Sequence, residues 1–265
     1  MRKNLDIRPG DVYPTRKGGD VVVLEYINNT NVLVKFLDMN GYEVWTSLSV
    51  LRKGLVRNLY TPYLFGVGYM GEGPHKSTDY LGKPVRKYTA WGNMIERCYS
   101  KAMKRRCPSY ETATACLDWE NFQNFAEWFI QQSGHEDRGW QLDKDLLGDG
   151  SKIYSPETCT LLPARLNILI KNTSRTNQSF ILPEYSETYL PTGVSYNPKS
   201  KSYMISVSTL ENPSKHKGIY FKTPFDAFRA YKEYKESLIK ELAFIYKDNL
   251  SKKAYAALLE LKVNF

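Results

Sequence analysis

The chain has 265 residues, a formal net charge of +9, and 42% hydrophobic and 14% aromatic residues, enough length and apolar material for two or three compact units. No apolar run approaches the ~20 residues of a membrane helix, and Met1-Arg2-Lys3-Asn4-Leu5-Asp6 lacks the apolar stretch of a secretory signal. The expectation is a cytoplasmic protein with no membrane partner. Cys98, Cys107, Cys116 and Cys159 include no C-x-x-C pair, so they read as free thiols, with neither a disulfide nor zinc expected.

Residues 1–65 form the first predicted unit. Asp20–Tyr26 and Asn31–Phe36 read as strands joined at Asn28-Asn29, and Asn40-Gly41 is a hairpin signal before Tyr42–Trp45. Short strands with closely spaced turns predict a small β-barrel, similar to Tudor or KOW modules. Such modules bind nucleic acids or peptides or serve as spacers, and the sequence leaves these uses open, a protein partner for the barrel among them. Phe65-Gly66-Val67-Gly68-Tyr69-Met70-Gly71-Glu72-Gly73 follows. No Gly-Lys-Ser/Thr closes it, and Pro74-His75 stand where a helix would begin, so it reads as a flexible or turn-rich connector rather than a phosphate loop.

The second predicted unit spans 76–175. Trp91, Met94, Ile95 and Cys98 share one helical face, and a basic loop, Lys101 to Arg106, puts Lys104, Arg105 and Arg106 in reach of phosphates. Asp118 is read as the cap of a second helix, whose Trp119, Phe122, Phe125, Ala126 and Phe129 form a core stripe. Next come Trp140-Gln141-Leu142-Asp143-Lys144-Asp145-Leu146-Leu147, a Gly148-Asp149-Gly150 turn, and Tyr154-Ser155-Pro156-Glu157-Thr158-Cys159. Thr160-Leu161-Leu162 reads as a further strand, and Pro163 opens a helix bearing Asn167. On a strand, Asp143 and Asp145 would share a face. An acid on the first strand and an Asn on the helix can chelate one divalent cation, which can polarise a scissile phosphate. The alternative is that Asp143, Lys144 and Asp145 are structural salt bridges.

After a polar boundary from Thr173 to Thr192, the third unit covers 190–265. Gly193–Tyr196, Ser202–Ser208 and Lys217–Phe221 read as three strands, with a basic turn at Lys199 and Lys201. Thr223 caps a long helix with Pro224 at its first position and Asp226 facing back. Its stripe of Ala227, Ala230, Tyr231, Tyr234, Leu238, Leu242 and Ile245 packs across one face of the sheet. The other face and its turns carry Lys199, Lys201, Lys215 and Lys217. From Gly193 to Phe265, 13 Lys+Arg stand against 7 Asp+Glu, which is +6 of the chain's +9. Such an excess suits a phosphate backbone, because cations gain affinity by releasing condensed counterions.

Two resemblances follow from these strings. Gly193-Val194, Tyr203 to Ser208, and Gly218-Ile219-Tyr220-Phe221-Lys222-Thr223 running into Ala227-Phe228-Arg229-Ala230-Tyr231 resemble the Apetala/ethylene-response-factor DNA-binding domain. That resemblance implies a sheet in the DNA major groove, with Ser195, Asn197, Lys199, Lys201, Ser206 and Ser208 facing bases and phosphates. The family uses arginines where this chain has Ser and Asn, which points to low sequence specificity. Trp91 to Asn167, with Leu142-Asp143-Lys144-Asp145 and Tyr154-Ser155-Pro156-Glu157-Thr158-Cys159, resembles the HNH, or ββα-metal, homing endonucleases of phages. It implies Asp143 and Asn167 as ligands of Mg²⁺ or another divalent cation, with Asp145 orienting water. A histidine on the first strand activates water in that family. Lys144 stands there in this chain, and His135 is the nearest substitute.

The expectation is therefore an α+β protein with an N-terminal small β-barrel, a central ββα-metal-like core with helices, and a C-terminal three-stranded sheet plus helix. Its expected function is that of a phage-type homing endonuclease, in the cytoplasm of an infected host, that binds double-stranded DNA and hydrolyses phosphodiester bonds. The alternative is a catalytically degenerate DNA-binding or regulatory protein of a phage.

Overall fold

The computed structural model describes residues 7–38, 40–148, 150–171, 180–182, 185–188, 190–208, 210 and 216–264. Asp149, Lys215 and half of the expected boundary segment from Thr173 to Thr192 lie outside the described residues. The chain is mixed α+β and divides into two compact units, Met1–Glu127 and Trp128–Phe265. Among the described residues no helix is long and apolar enough to cross a membrane.

The first unit opens with β1 (Val12–Pro14), β2 (Asp20–Asn28), β3 (Asn31–Phe36) and β4 (Glu43–Thr46), an antiparallel meander in the order β1-β2-β3-β4. Asn28 pairs with Asn31, so the tight turn is Asn29-Thr30, one residue later than the Asn-Asn reading. The Asn28 amide oxygen sets it by accepting from the backbone N–H groups of Thr30 (2.9 Å) and Asn31 (3.1 Å). Val21, Val23, Val32, Val34 and Phe36 alternate onto one face and bury there with Leu51 of α1 (Leu48–Arg52). The expected barrel does not close. β1 and β4 end the strand order unpaired with one another, and strands of three and four residues are too short to complete a shear-staggered ring.

Further corrections concern the rest of this unit. Of the two forms expected for the glycine-rich link, the structure shows the turn, packed because Gly68 lies against the Trp91 indole and Gly71 leaves room for the Asn121 side chain. Backbone bonds tie it down: Tyr69 N–H donates to Glu120 O, and Phe122 N–H to Tyr69 O, each at 2.9 Å. Helix α2 (Arg86–Tyr99) buries Trp91, Met94, Ile95 and Cys98 as its spacing predicts. The basic segment Lys101–Arg106 is a helix, α3, and not a loop, since the Ser100 hydroxyl caps it by accepting from Met103 N–H at 3.2 Å. After a two-residue strand β5 (Thr114–Ala115) comes helix α4 (Phe122–Ile130). Its cap is Asn121, whose amide oxygen accepts from Gln123 N–H at 2.9 Å, rather than Asp118. Asp118 and Trp119 belong to a separate 3-10 turn.

In the second unit, β6 (Trp140–Asp143) pairs antiparallel with β8 (Thr160–Pro163), with the short β7 (Ile153–Tyr154) between them in sequence, and α5 (Ala164–Ile170) follows directly. A two-stranded pair, β9 (Phe180–Leu182) and β10 (Tyr185–Thr188), precedes the C-terminal sheet. That sheet runs β11 (Val194–Asn197), β12 (Ser202–Val207), β13 (Lys217–Phe221), all antiparallel. Helix α6 (Pro224–Ile245) packs on it, burying Ala227 and Phe228 against Val194 and Ile205. Its cap is reciprocal: the Thr223 hydroxyl oxygen accepts from Asp226 N–H at 3.1 Å and its proton goes to the Asp226 carboxylate at 2.7 Å. Helix α6 also packs against α5 and α7 (Lys252–Glu260), which widens its buried face to Ile239 and Ala243 and leaves the expected core residue Ile245 exposed.

Candidate functional site

Strand β6 delivers Asp143 at its last position, opposite Thr160 of β8. The strand stops there because the Asp143 carboxylate captures the chain that follows. Its Oδ2 accepts from the backbone N–H groups of Asp145 (3.0 Å) and Leu146 (2.8 Å), an Asx-type turn that competes with the β ladder. The expectation that Asp145 shares Asp143's strand face is thereby corrected. Asp145 lies past the strand end, exposed, with its carboxylate on the Lys144 ammonium. Lys144 is itself buried and sits 5.7 Å from the Tyr154 ring centroid.

Asp143 is only 3% exposed. Burial pushes its carboxyl above the ordinary carboxylate range and the neighbouring Asp145 adds to the rise, while the two backbone N–H bonds and the Lys171 charge pull the other way. The Tyr-Ser-Pro-Glu-Thr-Cys string works as a turn. Thr158 Oγ1 accepts from Ser155 N–H at 3.1 Å and donates to Ile153 O at 2.8 Å, and Cys159 N–H closes on Ser155 O at 3.0 Å. Cys159 follows this turn, a buried thiol pushed up to about 12 by burial and therefore not a ready nucleophile.

Asn167 lies in α5, which packs against β6 and β8. Its side chain is 1% exposed and donates through Nδ2 to Gln141 Oε1 at 3.0 Å. Gln141 stands two residues before Asp143 in β6, so alternation puts both on one strand face. Among the described residues the Asn167 Oδ1 has no hydrogen-bond partner. A buried amide oxygen without a donor costs about 1–3 kcal/mol, and a hard cation is one group that would satisfy it. One carboxylate and one amide oxygen suit Mg²⁺, which keeps waters and phosphate oxygens in its other positions. Among the described residues no group of three or more His, Cys, Asp or Glu side chains is placed to hold a metal. His135 turns back on its own segment, with Nδ1 2.8 Å from Gln132 O and Nε2 3.8 Å from Glu136 Oε1.

The second candidate surface is the face of the C-terminal sheet opposite α6. Register places Ser195, Asn197, Met204, Ser206, Gly218 and Tyr220 on it. Ser195 Oγ donates to Met204 O at 3.2 Å, and Asn197 Oδ1 accepts from Lys199 N–H at 3.0 Å, shaping the turn that exposes Lys199 and Lys201. Lys201 closes that turn in a left-handed conformation, φ +48°. Ser208 departs from expectation. It lies beyond the end of β12, where Tyr234 of α6 accepts from its N–H at 2.8 Å and donates to its carbonyl at 2.6 Å, which holds it to the helix side. In the first unit, Lys104 donates to Glu111 O at 2.9 Å, whereas Arg105 and Arg106 are exposed on α3.

Comparison with family models, with curated proteins and with solved structures finds no match for this chain. Three residues at these sites escaped the sequence reading. Gln141 accepts from the Asn167 amide and the Lys171 charge acts on Asp143, and the signal for Gln141 was its i−2 spacing from Asp143 on the strand. Tyr220 is 55% exposed beside Met204, and its signal was an aromatic at an outward position of an alternating strand.

Proposed function

We propose that this chain binds duplex DNA with the outer face of the C-terminal sheet and belongs functionally with phage-type homing endonucleases that hydrolyse phosphodiester bonds. The observation that carries the reading is the outer face itself: a sheet backed by a capped helix on one side, with Ser195, Ser206 and Tyr220 exposed on the other beside the Lys199-Ser200-Lys201 turn. Short polar side chains let a backbone approach the groove, and the turn lysines meet phosphates. A divalent cation, held by Asp143 and the unsatisfied Asn167 oxygen, would polarise the scissile phosphate. Asp143 also holds the turn that follows it, and Gln141 orients the Asn167 amide.

A second reading, a DNA-binding protein whose core no longer cuts, has its own support. Lys144 stands where a base is needed and is tied to Asp145, and Asp143 Oδ2 is already engaged by two backbone N–H groups.

Both are tested by titrating the full chain with duplex DNA at several salt concentrations and by incubating it with supercoiled plasmid and Mg²⁺ or Mn²⁺. Changing Lys199 and Lys201 to Ala should weaken binding evenly across sequences and lower the log–log salt slope by ~2. An unchanged slope removes DNA from this face. Nicking that disappears in Asp143→Ala supports the endonuclease, and binding without nicking supports the second reading.

A further inference from the structure

Between the glycine-rich turn and α2, residues 76–86 form a hairpin whose construction and exposure do not match. Thr78 bridges Pro84, Asp79 N–H donates to Lys83 O at 2.8 Å, and Val85 N–H to Ser77 O at 3.0 Å. Asp79 Oδ1 turns inward and accepts from the N–H groups of both Leu81 and Lys83 at 2.9 Å. Gly82 supplies the left-handed residue the tip requires, at φ +76°.

The base of the hairpin is held equally firmly. His75 and Gln123 of α4 exchange two bonds, His75 N–H to Gln123 Oε1 at 2.9 Å and Gln123 Nε2 to His75 O at 3.0 Å. The Lys87 ammonium has no lone pair to offer, so it donates to His75 Nδ1 at 2.8 Å, and His75 Nε2–H donates to Glu127 at 3.1 Å. On this fixed mount the tip presents Tyr80, 94% exposed, and Leu81, 62% exposed. A ring left almost wholly in water contributes nothing to the fold, and the backbone around it is already ordered.

We propose that the Tyr80-Leu81 tip is a wedge that enters duplex DNA between stacked base pairs. Charge points to a nucleic acid rather than a protein surface. Residues 76–87 hold Lys76, Lys83, Arg86 and Lys87 against Asp79 alone, and Lys76 and Lys83 are exposed on either side of the tip. Proteins that kink duplexes insert apolar side chains in this way, and the unstacking cost demands a support that does not fold away under load. The loop's ordering entropy is met before binding, which is what such a support requires. The inference rests on the DNA-binding reading above and adds a contact that the C-terminal sheet does not provide.

The test uses the full chain and duplex oligonucleotides carrying 2-aminopurine at adenine positions, whose fluorescence rises when the base unstacks. Wild-type protein should raise it on binding. Tyr80→Ala should abolish the rise and weaken binding about tenfold, the scale of one lost aromatic stacking contact, and Tyr80→Phe should keep both. An unchanged thermal midpoint in Tyr80→Ala separates the wedge from folding. Binding without any fluorescence rise, or Tyr80→Ala behaving as wild type, overturns the wedge and leaves the sheet reading standing. Loss confined to unpaired strands would make the tip a stacking platform, which also overturns it. Wild-type protein that binds no duplex sinks the underlying DNA reading instead.

Discussion

In the C-terminal sheet, alternation runs the whole length of β12: Tyr203, Ile205 and Val207 face α6, and Met204 and Ser206 face away. In β6 alternation stops at Asp143, and Asp145, which would continue it, lies outside the strand. Both strands are antiparallel and both carry polar residues. They differ in where those polar groups aim. The β12 serines leave the ladder alone, whereas the Asp143 carboxylate takes two backbone N–H groups that a longer strand would have used. Side-chain periodicity therefore predicts structure as long as no side chain outbids the ladder for its own backbone.

The largest effect that can sharpen this contrast comes from two glycines of the same unit. Gly193 has φ +76° and Gly150 has φ +89°, so both are left-handed. A Cβ on Gly193 would sit inside the Tyr231 ring of α6, whereas one on Gly150 meets nothing within 4 Å. Gly193→Ala should cost about 2–5 kcal/mol from backbone strain and overpacking together, and Gly150→Ala only ~1 kcal/mol from the backbone. Equal shifts in denaturant midpoint would mean that α6 does not press on the strand entry as described.

A smaller effect separates the structural duty of Asp143 from its proposed chemistry. Asp143→Ala leaves the N–H groups of Asp145 and Leu146 without their acceptor and should cost about 1–3 kcal/mol. Asp143→Asn keeps an acceptor oxygen and removes the buried charge, so it should be more stable than wild type near neutral pH. The carboxyl lies above its ordinary value of 3.8 in the folded chain. Its contribution is thus fully present below that value and is lost as pH rises through the raised one. Wild type should lose stability across that window relative to Asp143→Asn, measured by denaturation at a series of pH values. Parallel pH profiles would show that the site is more hydrated than its burial implies.

The legible parts share a physical reason. The α6 cap, the β12 alternation and the α2 stripe of Trp91, Met94, Ile95 and Cys98 depend on neighbours in sequence, and they stand in the structure as read. Strands β2 to β4 were legible too, but β1 and whether the sheet edges met were not, because closure depends on strands far apart in sequence. At the candidate site the strand ending in Asp143 and the helix bearing Asn167 were legible, and the wiring of their side chains was not. That Gln141 would hold the Asn167 amide and that Lys144 would bury are decided by tertiary placement. The Tyr80 tip escaped notice because an exposed aromatic has the same sequence signature as a buried one.

The smallest effect tests burial directly, using two side-chain oxygens that do the same local work. Thr223 Oγ1 accepts from the N–H three residues on at 3.1 Å, and Asp143 Oδ2 does so at 2.8 Å. Thr223 is exposed, so water can replace its oxygen once it is gone, whereas the Asp143 carboxylate is buried, at 3% exposure, and its removal leaves a space closed off from bulk water. Thr223→Ala should therefore cost ~1 kcal/mol, the usual value of a helix N-cap, or about 2–4 °C in thermal midpoint for a chain of this size. Thr223→Ser, which keeps the hydroxyl, should restore most of it. The decisive comparison is with Asp143→Ala under the same conditions. If the exposed cap proves as costly as the buried one, then what fixes the turn after β6 is its hydrogen-bond geometry and not its exclusion of water, and the buried Asn167 oxygen becomes a weaker reason to propose a cation ligand there.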